Sequence, residues 1–217
     1  MRKGRLIVWE GIEGSGKTTQ IEAIAQWLRS LKSQNVLATR EPGGTNLGKQ
    51  IRELLLKENG YAIHEKTELC LFAADRIQHL EEVILPALDQ GMIVLCDRFV
   101  ASTIAYQCYG RGLDYSLVEQ FNQLATKGLT PDLTIWLKLD VKIGLHRIKL
   151  RGQSDSGNRS YDRLEKENVE FHQRVHQGYQ DLADKNPQSF IPIDASQSPE
   201  FVTQETKGII EDARFFN

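Results

Sequence analysis

Leu6-Ile7-Val8-Trp9-Glu10-Gly11-Ile12-Glu13-Gly14-Ser15-Gly16-Lys17-Thr18-Thr19 is the stretch that decides the architecture. Residues 6–10 are branched and aromatic up to a single carboxylate and read as a strand. Downstream, Ile21, Ile24, Ala25 and Leu28 recur at helical spacing. The segment between them, Gly11 to Thr18, fits GxxxxGK[ST] in the strand–turn–helix setting that gives this pattern its meaning. Its glycines let the backbone curl so that successive N–H groups face a phosphate. Lys17 adds a point charge for the outer phosphates, and the Thr18 hydroxyl suits Mg²⁺. Gly11, Ile12, Glu13, Gly14, Ser15, Gly16, Lys17, Thr18 and Thr19 are therefore expected to form the nucleoside-triphosphate cradle of a P-loop.

Four more runs of the same kind lie at residues 35–41, 92–98, 133–139 and 190–194, with longer helical patterns between them, such as Leu80, Val83, Ile84 and Leu88. Strand–helix alternation implies right-handed crossovers and a five-stranded parallel sheet covered by helices on both faces. Its ligand crevice belongs at the carboxyl ends of the strands. The chain has 217 residues, 40% hydrophobic and 26% charged, with no internal repeat and no linker between halves of different composition, so residues 1–217 read as one α/β domain.

Composition also narrows the partners. A net charge of −2 argues against nucleic acid. No apolar run approaches eighteen residues, so no membrane association is expected. The basic opening at Arg2 and Lys3 is followed by an apolar stretch too short for an export signal. Cys70, Cys96 and Cys108 are odd in number and widely spaced, which suits a reducing cytoplasm better than a disulfide framework.

A P-loop leaves the acceptor open. The guanine-reading NKxD and the DxxG switch of GTPases are both missing, and a motor or transport ATPase needs more chain, so a small-molecule kinase using ATP fits best. At the end of the third strand, Asp97 is placed to hold Mg²⁺ together with Thr18, and Arg98 to grip a phosphate with its planar fork. Arg151 to Ser160 is rich in Gly, Ser and Asn and reads as a loop between two helices.

Three further stretches are specific: Arg40-Glu41-Pro42-Gly43-Gly44-Thr45; Phe72-Ala73-Ala74-Asp75-Arg76; and Asp97-Arg98-Phe99 continuing through Ser102-Thr103-Ile104-Ala105-Tyr106-Gln107 to Gly110-Arg111-Gly112. With the P-loop, in this order and spacing, they closely resemble thymidylate kinase, over residues 5 to about 194. The resemblance implies a nucleoside monophosphate kinase-like fold with a short lid at about residues 147–165, homodimeric assembly, and phosphorylation of dTMP to dTDP by Mg-ATP for dTTP synthesis. It implies that Phe72 stacks on thymine, that Arg76 hydrogen-bonds its exocyclic oxygen, and that Thr103, Tyr106 and Gln107 line the nucleoside pocket. Tyr106 then disfavours a ribose hydroxyl by exclusion. Glu13, Arg40 and Arg98 complete the acceptor side by the same likeness.

Family members carry a transition-state arginine either in the P-loop or in the lid. Here the P-loop has Ser15 and no arginine, while Arg147, Lys149, Arg151, Arg159 and Arg163 crowd the lid, so the chain resembles the bacterial lid-arginine type. Arg147 and Arg151 are four apart on a predicted helix and can share one face. The catalytic set expected is Lys17, Arg98 and Arg151. Because the acceptor phosphate is already ionised, transfer needs alignment and charge neutralisation more than a general base. His64, His79, His146, His172 and His176 accordingly read as packing or surface residues. Rival readings are another nucleoside monophosphate or deoxynucleoside kinase, and a regulator that binds ATP without turnover.

Overall fold

A computed structural model describes residues 4–31, 35–58, 60–154 and 162–213. Five strands, β1 (Arg5–Glu10), β2 (Val36–Arg40), β3 (Ile93–Asp97), β4 (Leu133–Lys138) and β5 (Phe190–Asp194), form one sheet in the order β2-β3-β1-β4-β5. All four pairings are parallel. The five expected strands are the five observed, with ends within one residue.

The helices are α1 (Lys17–Ser30), α2 (Asn46–Leu56), α3 (Glu65–His79), α4 (Leu85–Asp89), α5 (Val100–Thr103), α6 (Tyr115–Thr126), α7 (Val141–Ser154), α8 (Val169–Lys185) and α9 (Pro199–Asp212). A π-helical stretch, Leu80–Ile84, joins α3 to α4, and a second, Ile104–Gly110, continues α5. Starts are marked chemically: the side chains of Thr45, Asp114, Asn168 and Ser198 accept hydrogen bonds from backbone N–H groups in the first turns of α2, α6, α8 and α9.

Alternation along the central strand divides the core. Leu6 and Val8 enter one layer with Val94, Cys96, Leu80, Ile84 and Phe99. Ile7 and Trp9 enter the other with Ile24, Leu28, Leu95, Trp136 and Tyr179. A strand buried on both faces must read as a continuous apolar run, as β1, β3 and β4 do.

One boundary differs from expectation. The loop expected from Arg151 onward begins later, because α7 continues through Ser154. Arg151 and Gln153 are good helix formers, and the helix runs on past Gly152 between them. Arg159 lies outside the described residues. The described chain resumes at Asp162, where the Asp162 carboxylate accepts from the Glu165 N–H (2.8 Å) and the Glu165 carboxylate from the Asp162 N–H (3.1 Å).

Candidate active site

The carboxyl ends of β1, β2 and β3 converge on a cavity of about 730 Å³, the size range of a ligand cleft. Its floor is the P-loop. Gly11, Gly14 and Gly16 all have positive φ, and Gly16 opens α1 in the left-handed region. Gly14 has a second constraint, since a Cβ there would meet the Gly144 carbonyl oxygen at 2.5 Å. Lys17 crosses back over the loop and donates to the carbonyls of Gly11 (3.0 Å) and Ile12 (3.1 Å). Burial, with the Arg98 guanidinium behind it, pulls the Lys17 ammonium below the ordinary lysine value. An anionic ligand at this point would relieve that penalty.

Opposite Lys17, the Thr18 hydroxyl donates to the Asp97 carboxylate at 3.2 Å, and Arg40 stands 3.9 Å from the same oxygen. Hydroxyl and carboxylate are hard oxygen donors, few in number and open to the cavity. That suits Mg²⁺, which keeps most of its other positions for water and phosphate.

Arg98 is held with unusual firmness. It adopts φ 74, in the left-handed region, directly after β3. Its Nη1 donates to Gly11 O (3.0 Å), Ser102 Oγ (3.1 Å) and Tyr179 Oη (3.1 Å), and its Nη2 to Glu13 (2.5 Å) and Tyr106 Oη (3.2 Å). Beneath it, the fully buried Glu10 accepts from the N–H groups of Phe99 and Ser102 and from the hydroxyls of Ser102 and Tyr179. Those four bonds pin the turn that aims Arg98 into the cavity. Burial alone would lift the Glu13 carboxyl, yet Arg98 and then Lys17 hold it down at about 2. The carboxylate in the cradle thus has its compensating charge.

On the acceptor side, Phe72, Arg76, Thr103, Tyr106 and Gln107 all line the cavity with Glu13, Arg40 and Arg98. Phe72 is half-buried, one edge packed on the core. Arg76 is 3% exposed, and four of its five N–H groups are engaged: with Glu41 (2.7 Å), Thr103 Oγ1 (2.8 Å), Asn122 Oδ1 (2.9 Å) and the Phe99 carbonyl (3.0 Å). It is as much a core brace as a cavity donor. His79, read as packing, is fully buried and fills that role by bridging Glu41 (3.0 Å) and Thr39 (2.6 Å). Among the described residues, Glu41, His79 and Cys96 come close enough to suggest a metal cluster. Both His79 nitrogens are occupied, and burial keeps the Cys96 thiol protonated, so the trio is structural.

The arginines expected in the lid separate. Arg147 and Arg151 both line the cavity, as their shared helix face requires. Arg147 donates to the carbonyls of Ala195 (3.1 Å) and Gly14 (3.4 Å), whereas Arg151, half-exposed, pairs with Glu165 at 3.5 Å. Arg163 turns away from the cavity to Leu55 and Glu68. Sequence reading passed over several lining residues. Arg52 and Asp162 line the cavity within electrostatic reach of Glu13, and Ala195, Gln197, Pro199 and Val202 line it from the chain beyond β5. No motif marks them; the one usable signal was position, since loops after strand ends build such crevices.

Comparison with known proteins agrees with this geometry. The family described as thymidylate kinase matches residues 9–206. Thymidylate kinase of Trichodesmium erythraeum (strain IMS101) is 52% identical, covering 95% of each chain, and that of Carboxydothermus hydrogenoformans is 48% identical, covering 96% of this chain and 98% of its own. The crystal structure of thymidylate kinase from Ehrlichia chaffeensis superposes with a TM-score of 0.77 at 36% identity, covering 95% of this chain and 98% of that one. With half of the residues shared over nearly its whole length, the chain belongs to the thymidylate kinase family, the enzymes that phosphorylate dTMP.

Proposed function

We propose that this enzyme moves the γ-phosphoryl group of Mg-ATP to dTMP in a single in-line step, yielding dTDP and ADP, as a cytoplasmic homodimer. The observation that carries the reading is the single cavity running from the P-loop, through Arg98, to Phe72 and Gln107. Both phosphates can meet there without a covalent intermediate. Lys17 and the P-loop N–H groups bind the donor's phosphates, and Arg98 draws the acceptor phosphate toward them. Thr18 and Asp97 would hold Mg²⁺, which would supply charge neutralisation to the donor's phosphates. Glu13 accepts from the sugar 3′-hydroxyl, Tyr106 packs at its second carbon, and Phe72 stacks on thymine beside the remaining Arg76 donor. Free Cys70, Cys96 and Cys108 suit a reducing compartment, and among the described residues no helix is long and apolar enough to cross a membrane. Exposed Leu47, Leu54, Ile77 and Leu124 on the adjoining helices α2, α3 and α6 favour an interface there; sedimentation at twice the chain mass is the expected result, and at the chain mass the contrary one.

Phe72→Ala tests the acceptor pocket. Base–aromatic stacking is worth about 1–3 kcal/mol, so dTMP affinity by calorimetry should fall by the corresponding factor of roughly 5–150 while ATP affinity stays within a few-fold. Equal loss of both would make Phe72 a core residue only.

Arg151 supports the transferring charge. Its half-exposed side chain pairs with Glu165 at 3.5 Å and lines the cavity, which puts a guanidinium in the cleft. Arg151→Ala should lower the single-turnover rate by roughly 10²–10³-fold with dTMP affinity almost unchanged. If Arg147→Ala costs more than Arg151→Ala, the charge comes from the deeper arginine instead.

A further inference from the structure

Glu68 is a charged residue the reaction does not use directly. It sits on α3 one turn before Phe72, is 0% exposed, and does not line the cavity. Isolated, such a carboxylate would be very unfavourable. Burial would lift its pKa, yet Arg111 and Arg163 hold it below the ordinary value.

The partners come from two separate parts of the chain, the 107–111 segment and the 162–167 arm. Arg111 grips both carboxylate oxygens, Nε to Oε1 and Nη2 to Oε2, each at 3.2 Å. Gln107, whose side chain lines the cavity, donates to Oε1 at 2.9 Å. Arg163 reaches Oε2 in a close ion pair. Arg163 is fastened twice more to the end of α2, its backbone N–H donating to the Leu56 carbonyl (2.8 Å) and its side-chain Nε to the Leu55 carbonyl (2.9 Å). The same arm is tied once more through Glu167, which meets Arg111 at 2.6 Å.

Arg163 is the residue after Asp162 and two before Glu165, and both of those face the cavity. Glu165 in turn holds Arg151. A continuous chain of contacts therefore runs from α3, through Glu68 and Arg163, to the Asp162–Glu165 turn and on to Arg151, while a second branch from Glu68 sets the Gln107 amide. We infer that Glu68 is a positioning residue, locking the 162–167 arm and Gln107 to the helix that carries Phe72, so that the donor-side arginine and the acceptor pocket keep one register. A displacement of about 1 Å in such a register is enough to slow transfer severely.

The test uses the whole enzyme with saturating Mg-ATP and dTMP. Arg163→Leu leaves Glu68 paired with Arg111, so the fold is expected to survive. kcat should fall by roughly 10–100-fold, with KM for dTMP changed no more than a few-fold. Arg163→Lys, which keeps the charge, should recover much of that loss. The double variant Glu68→Gln/Arg163→Leu should be no slower than the slower single variant within about twofold, because both remove the same link. Lys166→Ala, which breaks the exposed Lys166–Glu58 pair on the same arm outside the cavity, should keep wild-type kcat. If Arg163→Leu does not fold, Glu68→Gln carries the same criterion. The inference is overturned if kcat stays within about twofold of wild type while only Tm falls, if the double variant is additive, or if Lys166→Ala is as slow as Arg163→Leu. It rests on the cavity being the joint site of ATP and dTMP. Failure of that reading would appear as wild-type enzyme that releases no ADP with dTMP, whereas failure of the inference leaves the wild type active.

Discussion

Lys17→Ala should lower kcat by at least about 10²-fold, the scale of losing one preorganised electrostatic contact to a developing charge, while the fold persists. The ammonium lies over the P-loop, bonded to the Gly11 and Ile12 carbonyls, with Arg98 near enough to disfavour its charge. Burial and Arg98 disfavour the charged ammonium there, Glu13 and Asp97 favour it, and an anionic ligand would favour it further. Removal of the ammonium strands no carboxylate, because Glu13 keeps Arg98 at 2.5 Å and Asp97 keeps Thr18 and Arg40. Steady-state kinetics with unfolding curves on the same samples decide the matter. Retention of more than about a tenth of wild-type kcat, against the loss expected for such a contact, would remove Lys17 from the reaction.

Arg76→Ala should act first on stability. Deleting one member of a buried ion pair costs about 3–5 kcal/mol, because the other charge is left buried and uncompensated. Here that charge is Glu41, 4% exposed, left with His79 alone. Thr103, Asn122 and the Phe99 carbonyl lose a donor as well. For a chain of this size the loss corresponds to a Tm lower by roughly 6–20 °C. If Tm is unchanged and only dTMP affinity drops, the guanidinium belongs to the base and the buried network contributes little. Phe72→Ala alone is therefore a cleaner probe of the acceptor base than any variant that includes Arg76.

That difference between Phe72 and Arg76 shows what a sequence hides. Their spacing of four puts both on one helix face, and the cavity lining agrees. Nothing in the local sequence reveals that Arg76 meets a glutamate thirty-five positions earlier or an asparagine forty-six later. Local chemistry is legible where one segment carries the whole device, as the P-loop does, or where burial on both faces forces an apolar run, as in β1, β3 and β4. It fades where the device is assembled from afar. Glu68 looks like any helix-surface carboxylate until α3 packs under the 162–167 arm, and Pro199 and Val202 gain their place in the cavity wall only from the course of the chain after β5. At Ser154 the reason is the opposite: the segment has loop-like composition, yet Arg151 and Gln153 still favour helix and α7 runs through them.

ADP release followed across a panel of monophosphates bears most directly on the account of one cavity that joins ATP to dTMP. With Mg-ATP present, dTMP should give ADP and dTDP one for one, at a kcat/KM above those of UMP, dCMP, dGMP and thymidine. No ADP with dTMP, or faster turnover of UMP or thymidine, would contradict it.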